Sequence, residues 1–185
     1  DCFSREAAEL IAAQTENFDQ VWVEFGLETA DDEVQKRIER FDTLDSFYRA
    51  CELATEYGLQ KICHCIAGLP GEKEGGLLRQ VEAARLADVQ GIKFHQLMVL
   101  RRTQLAKQWM DGGIELLDAE SYAQMVADAV EVLPPEIVVH RLVAESPAEE
   151  YLAPNPWPGR GSVHSRIENI LRERDSWQGK LLATC

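Results

Sequence analysis

The chain alternates between two hydrophobic patterns along most of its length. Short apolar runs rich in β-branched and aromatic residues predict buried strands, and apolar residues at every third or fourth position predict helices. The predicted strands are residues 21–28, 61–67, 91–99 and 137–143. The predicted helices are residues 4–15, 31–38, 44–57, 75–87, 103–110, 119–133 and 163–174. Strands separated by helices predict βαβ units with right-handed crossovers and a parallel sheet.

Polar residues fall on one face of the predicted strands. Glu24 and Glu28 share a face of the first strand, because side chains alternate across a strand. In the second strand His64 lies opposite its flanking cysteines, and in the third Lys93 and His95 fall together. Ligands of parallel α/β sheets bind at the carboxyl ends of strands, so these residues predict one shared concave site. An ion pair between Glu24 and Lys93 with a purely structural role is the alternative.

The composition predicts a folded, acidic domain. Hydrophobic residues make up 45% of the 185 residues, which is enough for a core. The balance of 19 basic and 32 acidic residues gives a net charge of −13. This charge argues against binding nucleic acid through the bulk surface and against attraction to an anionic membrane. No apolar run approaches the roughly 20 residues of a membrane span, and the five cysteines lack framework spacing, so we expect a cytoplasmic protein.

Two familiar kinds of site are excluded by geometry and by motif. Cys63 and Cys65 face away from His64 on a strand, so these three residues cannot close around one tetrahedral zinc ion. No Gly-x-Ser-x-Gly elbow supplies a hydrolase nucleophile. We therefore predict no metal site within this chain.

A strand that ends in a carboxylate, a helix that carries arginines and a Gly-Leu-Pro-Gly turn follow one another in the sequence. This order resembles the second half of the radical S-adenosylmethionine (radical SAM) core, as in the oxygen-independent coproporphyrinogen oxidases and tRNA-modifying radical enzymes. The later residues resemble an uncharacterised oxidoreductase branch of that superfamily most. The resemblance is carried by residues 23–29 (VEFGLET), Arg37, Arg40, residues 66–72 (IAGLPGE), residues 91–95 (GIKFH), and His140 with Arg141.

The resemblance implies both a fold and a reaction. The fold is α/β: parallel βα units over residues 1–100 form the second half of a partial TIM-type barrel. Residues 101–185 form a helical C-terminal extension with one further strand. The reaction of the complete protein uses a [4Fe–4S] cluster to cleave S-adenosylmethionine reductively. The resulting 5′-deoxyadenosyl radical abstracts hydrogen from a substrate.

The resemblance also assigns roles to individual residues. Glu28 matches the residue that contacts S-adenosylmethionine at a strand end, and Arg40 matches the arginine that pairs with its methionine or ribose groups. His64 falls where relatives place a polar ribose contact. Gly68 and Leu69 match the strand end beside adenine. The other residues expected to line the cofactor site are Glu24, Lys93 and His95.

The cluster motif of the family, Cys-x3-Cys-x2-Cys, does not occur in this chain. The cysteines are Cys2, Cys51, Cys63, Cys65 and Cys185. We therefore expect this chain to bind neither cofactor by itself and to act with an upstream half of the same protein, on a small-molecule or RNA substrate. Without that half, the open edge of the strand at 21–27 favours self-association into homo-oligomers. The alternative is a non-catalytic α/β binding module that uses the concave site for a small ligand or a protein partner.

Overall fold

The computed structural model describes residues 3–182 as alternating helices and strands. The α-helices are α1 (Arg5–Ala12), α2 (Asp32–Arg37), α3 (Leu44–Glu56), α4 (Gly76–Leu86), α5 (Gln104–Met110), α6 (Ala119–Val132) and α7 (Arg160–Glu173). A 3-10 helix, Ala13–Glu16, extends α1. The strands are β1 (Trp22–Glu28), β2 (Gln60–Ala67), β3 (Gly91–Gln96), β4 (Val99–Leu100), β5 (Val138–Arg141) and β6 (Tyr151–Ala153).

Four of the strands form one parallel sheet in the order β1-β2-β3-β5. Its register places Gly26 beside His64 and His64 beside Lys93. The parallel order confirms the predicted α/β fold. At the opposite edges of the sheet, the Trp22 ring on β1 lies 5.2 Å from the His140 ring on β5. Side chains from edge strands meet in this way only when the sheet curls, so one face is concave.

The helices begin at polar caps that are visible in the sequence. Thr43 accepts a hydrogen bond from the Ser46 backbone N–H at 3.1 Å, and Ser46 Oγ accepts one from the Thr43 N–H at 2.9 Å. This reciprocal pair satisfies two backbone donors that the first turn of α3 leaves without helical partners. Asp118 caps α6 by accepting from the Ser121 N–H at 2.7 Å.

The core lies between the convex face of the sheet and the helices. Phe94 on β3 and Tyr122 on α6 are fully buried, and the Tyr122 hydroxyl donates to the Leu142 carbonyl at 2.7 Å. Cys63 and Cys65 of β2 are buried in the same cluster. The cysteines thus face the helices, and His64 faces the concave side, as the strand alternation predicts.

The structure corrects the expectation of one further strand after residue 100. Two strands follow, because Tyr151–Ala153 pairs with Val99–Leu100 in a separate antiparallel ribbon. The predicted strand 91–99 accordingly divides into β3 and β4. A strand of two or three residues is too short for a readable alternation, and its partner is chosen by tertiary contact. The division of the chain near residue 100 stays a prediction, although β5 from the later part joins the main sheet.

In the described part of the chain, β1 is an edge strand and pairs with β2 alone. Phe3 stands beside it, with its ring 5.1 Å from that of Phe25. Self-association through this edge stays a prediction. Among residues 3–182, no helix has the length and apolar character to cross a bilayer.

Candidate functional site

A chain of polar contacts crosses the concave face of the sheet. Lys93 forms an ion pair with Glu24, and the other oxygen of that carboxylate lies 2.8 Å from His64 Nε2. The His64 ring stacks on the His95 ring with centroids 5.4 Å apart. Arg141 on β5 brings Nη1 to 3.3 Å from His95 Nε2. Five side chains from four strands are therefore in contact along one surface.

A second group lies at the carboxyl end of β1. Arg40 forms an ion pair with Glu28 at 3.3 Å and another with Asp42 at 3.1 Å. Arg40 Nη2 also donates to the Gly26 carbonyl at 2.8 Å. A Cβ atom at Gly26 would lie 2.4 Å from Glu28 Oε1, so a larger residue there would displace this carboxylate. The strand end is built around the Glu28–Arg40 pair.

Glu28 has a strained backbone. Its φ angle is 62°, in the left-handed region that costs a residue with a side chain about 1–2 kcal/mol. The register of β1 against β2 also shifts between Gly26 and Glu28. Bulges of this kind redirect a side chain at the end of a strand, and strained residues concentrate at functional sites. The bulge lets Glu28 meet Arg40.

The end of β2 borders a cleft with an apolar wall and a polar rim. Gly68 has φ +85°, and a Cβ there would lie 2.8 Å from the Leu117 side chain. The next residue, Leu69, is buried with Leu97 and Val34. A cleft of about 590 Å³ opens beside them and is lined by Arg37, Ile38, Glu39, Leu69, Pro70, Leu97, Gln104, Leu105, Gln108, Asp111, Gly113 and Ile114. The wall of this cleft at Leu69, Leu97 and Leu105 is apolar and suits a flat ring, and charged side chains stand around it.

The structure confirms that Glu24, His64, Lys93 and His95 share the concave face, and their cofactor roles stay predictions. Glu28 follows a bulge in β1, so simple alternation does not set its direction, and it pairs with Arg40 at the strand end. The Glu24–Lys93 ion pair that the structural alternative requires is also present. Gly68 and Leu69 lie apart from these contacts: Gly68 lies against Leu117, and Leu69 lines the cleft.

Burial and neighbouring charges shift the pKa values of Glu24, Glu28 and His95. The Lys93 ammonium holds the pKa of Glu24 below its usual range. Burial raises the pKa of Glu28, and Arg40 opposes that shift only in part. Burial, together with the nearby His64 and Arg141, lowers the pKa of His95 to about 4. A guanidinium has only donors, so His95 Nε2 accepts from Arg141, as a neutral ring does.

We expect His95 to remain neutral at pH 7 and to make stability depend on pH. Its pKa of about 4 in the folded chain lies below the 6.5 of an ordinary histidine. The unfolded chain therefore binds the proton first, and stability falls as the pH drops from 6.5 towards 4, with no change above that range. The ring signals of His95 in NMR spectra recorded against pH measure this shift directly.

The matched variants are His95→Gln and His164→Gln. His164 is an exposed histidine on α7 with Glu168 3.5 Å away. Urea unfolding at pH 7 and pH 5 is expected to show a smaller loss of stability for His95→Gln than for the wild type, and an unchanged loss for His164→Gln. A His95 ring that titrates near pH 6.5 contradicts the described environment.

A buried network of polar side chains supports the strand ends. Gln35 donates from Nε2 to the Leu27 carbonyl at 2.7 Å and to the Thr29 carbonyl at 2.9 Å. Glu72 accepts from the Thr29 hydroxyl at 2.8 Å and from Gln80 Nε2 at 3.0 Å. These bonds connect the turn after β1 to the turn after β2. The network holds the Glu28 and Gly68 strand ends in a fixed relation.

The described cysteines do not fit an iron–sulfur cluster. Cys51, Cys63 and Cys65 are buried among the helices, on the side of the sheet away from the concave face. Burial raises the pKa of Cys51 to about 12 and that of Cys63 well above its usual range, whereas cluster ligands are thiolates. Across residues 3–182, no three His, Cys, Asp or Glu side chains are grouped to hold a metal ion. Cys2 and Cys185 lie outside the described residues.

Three residues of the site were not assigned from the sequence. Asp42 pairs with Arg40, Gln35 braces the end of β1, and Arg141 contacts His95. The position of Arg141 depends on a register shift where β5 pairs with β3. The sequence placed Arg141 within a predicted strand and among the residues of the family resemblance, and neither signal fixes the face to which it points.

The chain matches two parts of one family. Residues 2–84 match the Radical SAM superfamily, and residues 89–173 match the Radical SAM C-terminal domain. The chain is 32% identical to the uncharacterized protein YtqA of Bacillus subtilis (strain 168), over 97% of this chain and 56% of the relative. It is also 32% identical to the protein YhcC of Escherichia coli (strain K12), over 86% of this chain and 53% of the relative.

The fold is also present in a solved structure. The archaeal Methanocaldococcus infernus Elp3 with an N-terminal deletion (1–46) superimposes with a TM-score of 0.78 at 16% identity, over 92% of this chain and 40% of that one. The two family matches, over residues 2–84 and 89–173, show that the chain belongs to the radical SAM superfamily. It spans about half the length of the curated relatives that it matches.

Proposed function

We propose that this chain forms the S-adenosylmethionine-binding side of a radical SAM oxidoreductase whose iron–sulfur cluster is held by residues outside it. The observation that carries the proposal is the Glu28–Arg40 pair on a strained strand end, next to the concave polar face. When bound beside a cluster, S-adenosylmethionine supplies a 5′-deoxyadenosyl radical that abstracts hydrogen from a substrate. The cluster does not fit the described cysteines, so no step is assigned to it here.

The residues of this chain do fit S-adenosylmethionine. Its methionine part carries an ammonium and a carboxylate, and Glu28 and Arg40 offer one group for each. Arg40 Nε is buried and has no hydrogen-bond partner among the described residues, so the guanidinium retains a donor. An unpaired buried donor costs stability, which a ligand acceptor would restore. The apolar wall of the cleft beside Leu69 suits the face of the adenine ring.

Replacement of Arg40 tests this assignment in a cluster-containing protein, meaning this chain preceded by a segment with the Cys-x3-Cys-x2-Cys motif. We expect Arg40→Gln to raise the KM for S-adenosylmethionine by about tenfold or more, because a charge-assisted hydrogen bond to the cofactor is lost. The measurement is 5′-deoxyadenosine formation under anaerobic conditions as a function of S-adenosylmethionine concentration.

The matched control is Arg85→Gln. Arg85 is an exposed arginine on α4 that pairs with Glu82 at 2.6 Å. We expect this variant to keep the wild-type KM. Equal KM values for wild type and Arg40→Gln remove Arg40 from the cofactor site.

A further inference from the structure

One cation on the concave face lacks a carboxylate partner. Lys93 is balanced by Glu24, and Arg40 is balanced by Glu28 and Asp42. Arg141 contacts only the neutral acceptor His95, and no carboxylate of residues 3–182 lies within ion-pair distance of it. Arg141 therefore carries a positive charge that no carboxylate of the described residues balances by direct contact.

We infer that Arg141 binds an anionic group, a carboxylate or a phosphate, of the molecule on which the concave face acts. This inference rests on the proposed function, since it names the substrate class of that same site. A planar guanidinium forms two parallel hydrogen bonds with either group. Arg141 stands on β5, whereas the Glu28–Arg40 pair stands at the end of β1.

The contact with His95 directs the guanidinium of Arg141. One of its five N–H donors is used by His95 Nε2, and the others remain available to a ligand. The stacked His64 and its Glu24 partner keep the His95 ring in place from the other side. An arginine held in this way loses less conformational entropy on binding than a free one does. His95 is a positioning residue in this arrangement.

The inference can be tested on the 185-residue chain without iron or S-adenosylmethionine. The probes are inorganic phosphate and malonate, each titrated at constant ionic strength while the His95 ring and Arg141 Nε–H signals are followed by NMR. We expect saturable shifts for at least one probe. The probe that binds with the lower dissociation constant distinguishes a phosphate substrate from a carboxylate one.

The variants are Arg141→Gln, Arg141→Lys and, as the control, Arg172→Gln. Arg172 on α7 donates to Asn169 at 2.6 Å, away from the sheet. We expect Arg141→Gln to weaken anion binding about tenfold or more, because a charge-assisted hydrogen bond is lost. Arg141→Lys keeps the positive charge but cannot form the two parallel hydrogen bonds of a guanidinium. We therefore expect it to weaken anion binding less than Arg141→Gln does. Arg172→Gln is expected to bind as the wild type does.

Saturation at the same concentration in wild type and Arg141→Gln overturns the inference, and so do non-saturable shifts in both. Arg141→Lys keeps the test valid if the glutamine variant does not fold. Because neither cofactor is present, failure of this test leaves the proposed role of Arg40 intact. Conversely, an unchanged KM in the Arg40→Gln variant says nothing against anion binding at Arg141.

Discussion

The 185-residue chain, reconstituted anaerobically with iron and sulfide, is expected to bind no stoichiometric [4Fe–4S] cluster and to form no 5′-deoxyadenosine. Three thiolates close together are needed to hold the cluster while the cofactor takes the fourth iron. The sequence has no Cys-x3-Cys-x2-Cys motif. The described cysteines are buried thiols on the helix side of the sheet, and burial raises the pKa of Cys51 to about 12. We therefore expect cluster binding and 5′-deoxyadenosine formation to be absent, and not merely reduced.

The matched comparison is the cluster-containing protein defined above, reconstituted in the same way. Iron content and 5′-deoxyadenosine are measured on both after addition of dithionite and S-adenosylmethionine. We expect stoichiometric iron and 5′-deoxyadenosine from the longer protein, and neither from the 185-residue chain. Stoichiometric iron and 5′-deoxyadenosine from the 185-residue chain would show that its cysteines rearrange into a ligand set. Absence of both from the longer protein favours the non-catalytic binding module.

Phe94→Ala is expected to lower the free energy of unfolding by about 3–5 kcal/mol, which is typical of a fully buried phenylalanine. Phe94 has no exposed surface and packs in the main cluster, while its neighbours Lys93 and His95 point to the concave face. The same strand therefore carries a core anchor and two residues of the candidate site. A cavity at Phe94 therefore destabilises the core and also the strand that positions Lys93 and His95.

Phe41→Ala is the control, because Phe41 is fully exposed. Its replacement is expected to change the free energy of unfolding by no more than about 0.5 kcal/mol. Urea unfolding followed by circular dichroism measures both variants. Equal stabilities for Phe94→Ala and Phe41→Ala would place Phe94 outside the core and reverse the assigned face of β3.

The faces of the strands could be predicted from the sequence because alternation is a local property. Cys63 and Cys65 had to face one way if His64 faced the other, and the structure confirms this for β2. The same alternation predicts that Glu24 on β1 and Lys93 on β3 point to one face of the sheet. The helix caps were equally local, since Thr43 and Asp118 act on backbone groups three residues away.

The rest depended on contacts between distant segments. The short ribbon of β4 and β6 joins residues about fifty positions apart and leaves no readable pattern. The place of Arg141 depends on a register shift against β3, and the Glu28 backbone depends on a bulge. A bulge changes the face of every residue that follows it, and sequence alternation alone does not locate it.

Hydrogen exchange of the cluster-containing protein, with and without S-adenosylmethionine, tests most directly where the cofactor binds. A ligand stabilises the segments that it contacts and so slows their exchange. The account predicts the largest protection in peptides that cover residues 24–30, 38–42 and 66–70, around the Glu28–Arg40 pair and the Gly68 turn. Protection confined to other parts of the chain, or no protection at a saturating concentration, would contradict the assignment of this site.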